Sequence, residues 1–497
     1  MDWNSFLTAP QPADLILAVG AFLLILLILL ISVWLKKILD LSHEVVRKFS
    51  HMGIGVLAAL APLYFSTPLL LLLLSLLFLT VNWVAVKKGL LKSIHSGRYS
   101  FGTVYFPLVY MILILIFWNI DRRFILLGIA LFAIADALAA LVGQRWGKST
   151  SFTLVADQKS LLGSIAMFIS SFALIYLILK FSFEVDRLLV LQVIALAALV
   201  TVVEALSSKG SDNFFVPFSG AVLAFLLVNF NEAQLNRFLS GEILALITAI
   251  LSYRFRFLSL SGSAMVFLLA TVIFGFGGWA WSVPILTFFI LSSLLSKLGK
   301  NTKNQFKDTF EKSGVRDYAQ VLANGGIGGA LVILNALFPD RMWYQLYLLS
   351  LMVATSDTWS TEIGVLSKSN PRLITTFRKV KPGISGAVSL LGTAGGFLGS
   401  ALILLSGLFF TELNGRVILW LLLLGLLGNL LDSLIGATVQ GQYQCSVCGK
   451  YTEKKMHCDR ETSLISGSKI IGNDMVNVAS NLMAIILMVI IYYFHVL

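Results

Sequence analysis

Ala135–Phe168 reads ADALAALVGQRWGKSTSFTLVADQKSLLGSIAMF: an acid in an apolar run, glycines, a basic connection, then a Lys-Ser pair opening the next apolar run. Apolar residues flank Asp136 on both sides and place its carboxylate at or inside a bilayer, where an ionisable group is costly and marks function by default. A purely structural pairing with a neighbouring helix is the competing reading. Gly143, Gly147 and Gly163 permit close backbone approach to phosphate, and Lys148 and Lys159 neutralise it. The helix opening near Ser160 offers free N–H groups. GQRWGKS does not have the GxxxxGK[ST] spacing, so this is not a Walker A loop. A carboxylate facing such a pocket suits magnesium, which takes one or two carboxylates plus substrate phosphates.

A looser echo, SDTWSTEIGVLSKSNPRLITTFRKVKPGISGAVSLLGT, runs from Ser356 to Thr393. Asp357 and Glu362 supply acids there, and Lys381, Gly383, Ser385 and Gly386 are read as the counterpart of Lys159–Ser164. Arg316 and Gln320 repeat the spacing of Arg47 and His51. The chain is therefore expected to hold two related modules, 1–240 and 241–497, each with its own phosphate-handling site.

Composition sets the class. With 58% hydrophobic and 12% charged residues and a mean hydropathy of +0.88, this is no soluble globule. Runs such as Leu17–Leu35, Leu69–Val86, Ile384–Phe410 and Val417–Leu434 are long enough to cross a hydrocarbon core as helices. The expectation is an all-α polytopic membrane protein of roughly fifteen or sixteen transmembrane helices, the first of them a retained span and not a cleaved signal. The net charge of +12 reads as topology, since Lys and Arg collect in cytoplasmic loops; nucleic acid is a poor fit. Basic residues crowd 36–48, 87–98, 144–159, 297–316, 368–381 and 450–469. That alternation puts the amino terminus outside and every motif-bearing loop inside, most simply in the cell's inner membrane.

In KKILDLSHEVVRKFSHMGIG, Glu44, Arg47, Lys48 and His51 fall at helical spacings of three and four and share a face. Snorkelling flank residues are the plain alternative. VVEALSSKGSDNFFVP brings Glu204, Asp212 and Asn213 back to the side of Asp136. Downstream, Asp432, Gln440, Asp474 and Asn477 add oxygen donors. Cys445-x-x-Cys448 and His457-Cys458, in a loop spanning 441–470, offer four ligands for a structural zinc ion, with free thiols as the other reading.

These motifs resemble known families. ExxRKxxH at Glu44–His51, DxxAxxxGxxxGK at Asp136–Lys148, KSxxGS at Lys159–Ser164 and ExxxxKGxDNxxVP at Glu204–Pro217 look like the dolichol kinase and phytol kinase family. NGGIGG, SDTWSTEIG, KPGISGAVS, DSLIGATVQ and NDMVN resemble the transmembrane family that includes plant phytyl-phosphate kinases. The first resemblance implies transfer of the γ-phosphoryl group of CTP, or another nucleoside triphosphate, to a prenyl alcohol in the bilayer. The second implies phosphorylation of the prenyl phosphate to the diphosphate, making the chain a fusion of successive steps. In the first site Asp136 and Asp212 would hold magnesium or deprotonate the alcohol, Arg47, Lys48, Lys148, Lys159 and Asn213 would bind phosphates, and His51 or Glu44 is the candidate general base. In the second, Asp357, Glu362, Asp432 and Asp474 would hold metal, with Arg316 and Lys381 on phosphate. A CTP-dependent cytidylyltransferase and a lipid transporter are the rivals; transport by inverted repeats is disfavoured because both copies run in the same orientation.

Overall fold

A computed structural model describes residues 6, 8–40, 42–88, 101–181, 186–298, 315–367 and 369–494. It divides into two compact units, Met1–Leu235 and Asn236–Leu497. Most of each basic loop at 87–98 and 297–316, with Lys92 and Arg98, lies outside the described residues.

The first unit contains α1 (Pro12–Leu39), α2 (His43–Tyr64), α3 (Leu69–Lys87), α4 (Gly102–Phe117), α5 (Arg123–Trp146), α6 (Leu161–Leu179), α7 (Arg187–Leu206) and α8 (Asp212–Val228). Its axis is α5, whose stretch from Phe124 to Asp136 is almost wholly buried. A helix apolar on every side can be satisfied only by neighbours all round, and α2, α4, α6 and α8 provide them. At the edge, α1 leaves most of its leucines exposed and α3 exposes Leu73, Leu76 and Leu77, as lipid-facing helices do.

The second unit repeats the arrangement. After α9 (Glu232–Arg254) come α10 (Leu260–Lys297), α11 (Tyr318–Leu337), α12 (Arg341–Gly364), α13 (Leu390–Leu408), α14 (Gly415–Thr438) and α15 (Asn473–Tyr493). Here the buried axis is α12, closed in from Leu346 to Ser356 and packed by α10, α11, α13, α14 and α15. In α10 the chain breaks at Gly278, at φ 66°, a backbone state that glycine alone adopts without strain. Both axial helices are 24 residues long.

The protein is thus an integral, multi-pass, all-α membrane protein. Among the described residues, eleven helices are long and apolar enough to cross a bilayer by themselves. The other four fall short for two reasons: α4 and α8 are shorter apolar helices, and α2 and α12 carry the polar residues of the site.

Candidate functional site

Both units build the same frame. In the first, α5 carries Asp136 and, seven residues on, Gly143; a hairpin of β1 (Ser151–Thr153) and β2 (Gln158–Ser160) follows, and Ser160 caps α6 by accepting the Gly163 N–H at 3.1 Å. In the second, α12 carries Asp357 and, seven residues on, Gly364; β3 (Arg372–Leu373) and β4 (Ala387–Val388) follow, and Ser389 caps α13 by accepting the Gly392 N–H at 3.1 Å. The capping tetrapeptides are identical, SLLG at 160–163 and at 389–392. The structural counterpart of Ser160 is therefore Ser389, and the equivalence expected for Lys381–Gly386 is corrected by this register. That segment forms a separate turn against the end of α14. Gly386 sits at φ +78° with Ala437 against it, Ser385 Oγ donates to Gln440 Oε1 at 2.8 Å, and Lys381 is exposed with no partner among the described residues.

The glycines of the motif close this frame. A Cβ on Gly143 would meet Ser160 Oγ at 2.8 Å, one on Gly163 would meet the Ala139 carbonyl at 3.0 Å, and one on Gly147 would also strike Ser160. Gly392 has the matching relation to the Ser360 carbonyl, at 2.8 Å. Their close approach is thus of one helix to the cap of the next, and only through that to any ligand.

Inside the first frame, Lys48 on α2 donates to Asp136 Oδ2 at 2.7 Å, with both side chains buried. Lys159 on β2 pairs with Glu204 near the end of α7. Asp212, the first residue of α8, accepts only its neighbour's N–H, from Asn213 at 3.0 Å, and has no ion pair among the described residues. Asp136 lies in the fields of Lys48, His51 and Lys159, and Asp212 in those of Asp136, Lys159 and Lys48, so the group acts as one electrostatic cluster. Burial pulls the Lys159 ammonium down, but the Glu204 and Asp212 carboxylates outweigh it and leave its pKa above the ordinary lysine value. His51 Nε2 sits 3.1 Å from the Phe132 carbonyl, in the π-helical turn Leu131–Asp136 of α5. A π-bulge disturbs the helical ladder, and because a carbonyl only accepts, Nε2 carries the proton. Nδ1 is then the acceptor in the neutral ring.

Two expectations change here. Glu44, a candidate base, is held by Arg47, whose Nε and Nη2 donate to its two carboxylate oxygens; it orients Arg47, whose charge reaches Asp136 and Asp212. Lys148 opens a short 3-10 turn at the surface, exposed and outside the cluster.

The second unit gathers acids differently. Asp432 on α14 is buried, accepts Ser480 Oγ at 3.1 Å, and lies in the fields of Asp357 and Glu453. With its amide turned to donate, Asn477 also reaches Asp432 Oδ2, at 3.2 Å. No basic side chain is paired with Asp357 or Asp432 among the described residues. Glu362 instead accepts Ser296 Oγ at 2.7 Å and faces the charge of Arg316. Asp474 lies in the first turn of α15. Arg316 is not the equivalent of Arg47, nor Gln320 of His51. Arg316 precedes α11, tied by its backbone to Phe257 and Ser259, and Gln320 closes a capping box with Asp317. By chain order α11 stands where α4 stands in the first unit, directly before the axial helix; α11 packs on α15 as α4 packs on α8.

Residues 243–485 match the family model described as integral membrane protein DUF92. Protein PGR of Arabidopsis thaliana is 34% identical over 272 residues, covering 50% of this chain and 93% of that protein. The phytol kinase of Synechocystis sp. is 32% identical over 222 residues, covering 44% of this chain and 94% of that one. The chain belongs to the phytol-kinase-like membrane family. Protein VTE6, chloroplastic, of Arabidopsis thaliana is similar too, 31% identical over 189 residues, 37% of this chain and 56% of its own length. No solved structure matches.

In this phytol-kinase-like chain, sequence reasoning found the acids but missed their partners. Lys48 was read as a phosphate ligand and not as the counter-ion of Asp136, and Ser389, Gly392 and Ser480 were passed over. The repeated SLLG was the available signal for the second cap. Nothing local marks Ser480 as the neighbour of a residue 48 positions away.

Proposed function

We propose that the chain is a prenyl alcohol kinase in which the first unit phosphorylates an isoprenoid alcohol and the second phosphorylates the resulting monophosphate, with CTP as donor. The observation that carries this reading is the repeated frame, an axial-helix acid beside a capped helix N-terminus, in a chain whose relatives include a protein named phytol kinase. Phosphoryl transfer needs positioning and charge neutralisation more than covalent protein chemistry, and both units are furnished for that.

In the first site Arg47 and Lys159 neutralise the donor phosphates, Lys48 holds Asp136 ionised and oriented, and Asp212, free of an ion pair among the described residues, accepts the proton of the alcohol. His51 is positioned by the Phe132 carbonyl with Nδ1 as its open acceptor. The donor set suits magnesium: Asp212 with Asp136 in the first unit, Asp357 with Asp432 in the second, where two carboxylates stand without a cation among the described residues. Bound there with the phosphates, the ion would supply Lewis-acid charge neutralisation. Glu362 and Asp474 are the further candidate oxygen donors of the second site, and Arg316 balances Glu362. A cytoplasmic orientation of both sites is supported by the crowding of Lys and Arg in the motif-bearing loops.

The test is a product assay on the purified full chain with phytol or geranylgeraniol, magnesium and each of the four nucleoside triphosphates, read by mass spectrometry. Asp136→Asn is expected to abolish monophosphate formation while supplied monophosphate is still converted; Asp357→Asn is expected to stop at the monophosphate. Wild-type protein that makes neither product with any nucleotide, or Asp136→Asn protein that makes monophosphate at the wild-type rate, defeats the reading.

A further inference from the structure

Outside both acid clusters lies a group of a different chemistry. Cys445, Cys448, His457 and Cys458 each offer one ligand atom, and all four atoms lie within 4.8 Å of one another. Cys448 Sγ and Cys458 Sγ are 3.5 and 3.2 Å from His457 Nδ1. Tetrahedral bonds of about 2.3 Å to sulfur put neighbouring ligands about 3.8 Å apart, so this is the spacing of a single ion. Two turns present the ligands. In the first, Gly449 takes φ 69° and the Val447 N–H points at Cys445 Sγ from 3.4 Å. In the second, Cys458 and Asp459 both take positive φ, at 50° and 57°, a strained state for residues with a Cβ that persists only where the surroundings impose it.

The connection that carries them has little else to hold it. Residues 441–472 form short strands, with β5 (Gln442–Gln444) between β6 (Tyr451–Thr452) and β9 (Ser463–Ser466), and β7 (Met456–His457) paired with β8 (Arg460–Glu461). Tyr443 and Cys445 are the buried hydrophobic residues within it. So small an element folds with the help of a staple. Its two ends are stitched together: Gly441 N–H donates to the Ile471 carbonyl at 2.9 Å and Ser468 N–H to the Val439 carbonyl at 3.0 Å. Immediately outside these bonds lie the end of α14, which bears Asp432, and the start of α15, which bears Asn477 and Ser480, the two side chains directed at Asp432.

We propose that Cys445, Cys448, His457 and Cys458 bind one structural zinc ion, and that this ion clamps the connection holding α14 and α15 in register around Asp432. Three thiolates and one imidazole in a tetrahedral set select zinc over the harder cations. The inference stands apart from the kinase reading, since it concerns folding of the connection and not the reaction.

The full-length protein, purified in detergent from zinc-supplemented cells, is to be measured for metal content, then exchanged into cobalt and examined by absorption spectroscopy and by hydrogen exchange. Expected are one zinc per chain, loss of it in Cys448→Ser and Cys458→Ser, and its retention in His457→Cys. Cobalt should give tetrahedral ligand-field bands with thiolate charge transfer. Stripping the metal should raise exchange at 439–444 and 463–472 by at least tenfold and leave α5 unchanged. Wild-type protein without stoichiometric zinc, a disulfide among the three cysteines, or zinc retained at the wild-type level in both serine variants overturns the site. Unchanged exchange after stripping overturns the clamp. Should a serine variant fail to fold, the cobalt spectrum of the wild type decides.

Discussion

Replacing Lys48 by methionine keeps most of the side-chain volume and removes the ammonium that sits 2.7 Å from Asp136 Oδ2. Both side chains are buried, 7% and 4% exposed, so the carboxylate left behind cannot recover its hydration. Breaking such a pair by removing one partner costs about 3–5 kcal/mol. Lys159 and His51 still act on Asp136, which argues for the lower end, about 3 kcal/mol. The change is best read locally in the full chain, by native-state hydrogen exchange of peptides from Phe124 to Asp136. There about 3 kcal/mol appears as roughly a hundredfold faster exchange, at tenfold for every 1.4 kcal/mol. Lys48→Met combined with Asp136→Leu removes both charges and should recover most of the loss, since a hydrophobic pair of similar volume is often no less stable than a buried ion pair. A double-mutant coupling smaller than about 0.5 kcal/mol would mean that Lys48 does not neutralise Asp136, and the electrostatic account of the first site would fall.

Ser160→Ala and Ser389→Ala each remove a helix cap and are expected to cost about 1 kcal/mol, seen as faster exchange confined to the first turn of α6 or of α13; a change spread over the whole unit would contradict the capping role. Lys159, raised above the ordinary lysine pKa by Glu204 and Asp212 against its burial, stabilises the fold fully below its unfolded pKa of about 10.4 and loses that contribution as pH climbs through the higher folded value. Denaturant titrations should therefore show no lysine-dependent change between neutral pH and that limit, and Lys159→Met should flatten the alkaline fall. Glu44→Gln breaks a half-exposed pair with Arg47, so it should alter stability by less than about 1 kcal/mol and raise the nucleotide KM more than it lowers kcat; a collapse of kcat alone would restore Glu44 as the base.

Sequence alone determined that this chain is a helical membrane protein with two sets of acids at helix ends, because apolar runs and charge-bearing loops are local properties of the chain. Asp136, Asp357 and Asp432 stood out for the same reason: a carboxylate in an apolar helix is conspicuous without knowing what surrounds it. Tertiary structure decided what each acid meets. Asp136 found Lys48, 88 residues away, Asp432 found Ser480 on another helix, and Ser389, not Lys381, took the place of Ser160. Pairings of this kind arise from which helix faces pack together, and α2, α5, α12, α14 and α15 are brought to their neighbours by burial of long apolar faces that specify contact but carry no label for the partner. The buried axes α5 and α12 illustrate the limit, for a helix stretch buried on every side shows no single hydrophobic stripe from which its orientation could be read.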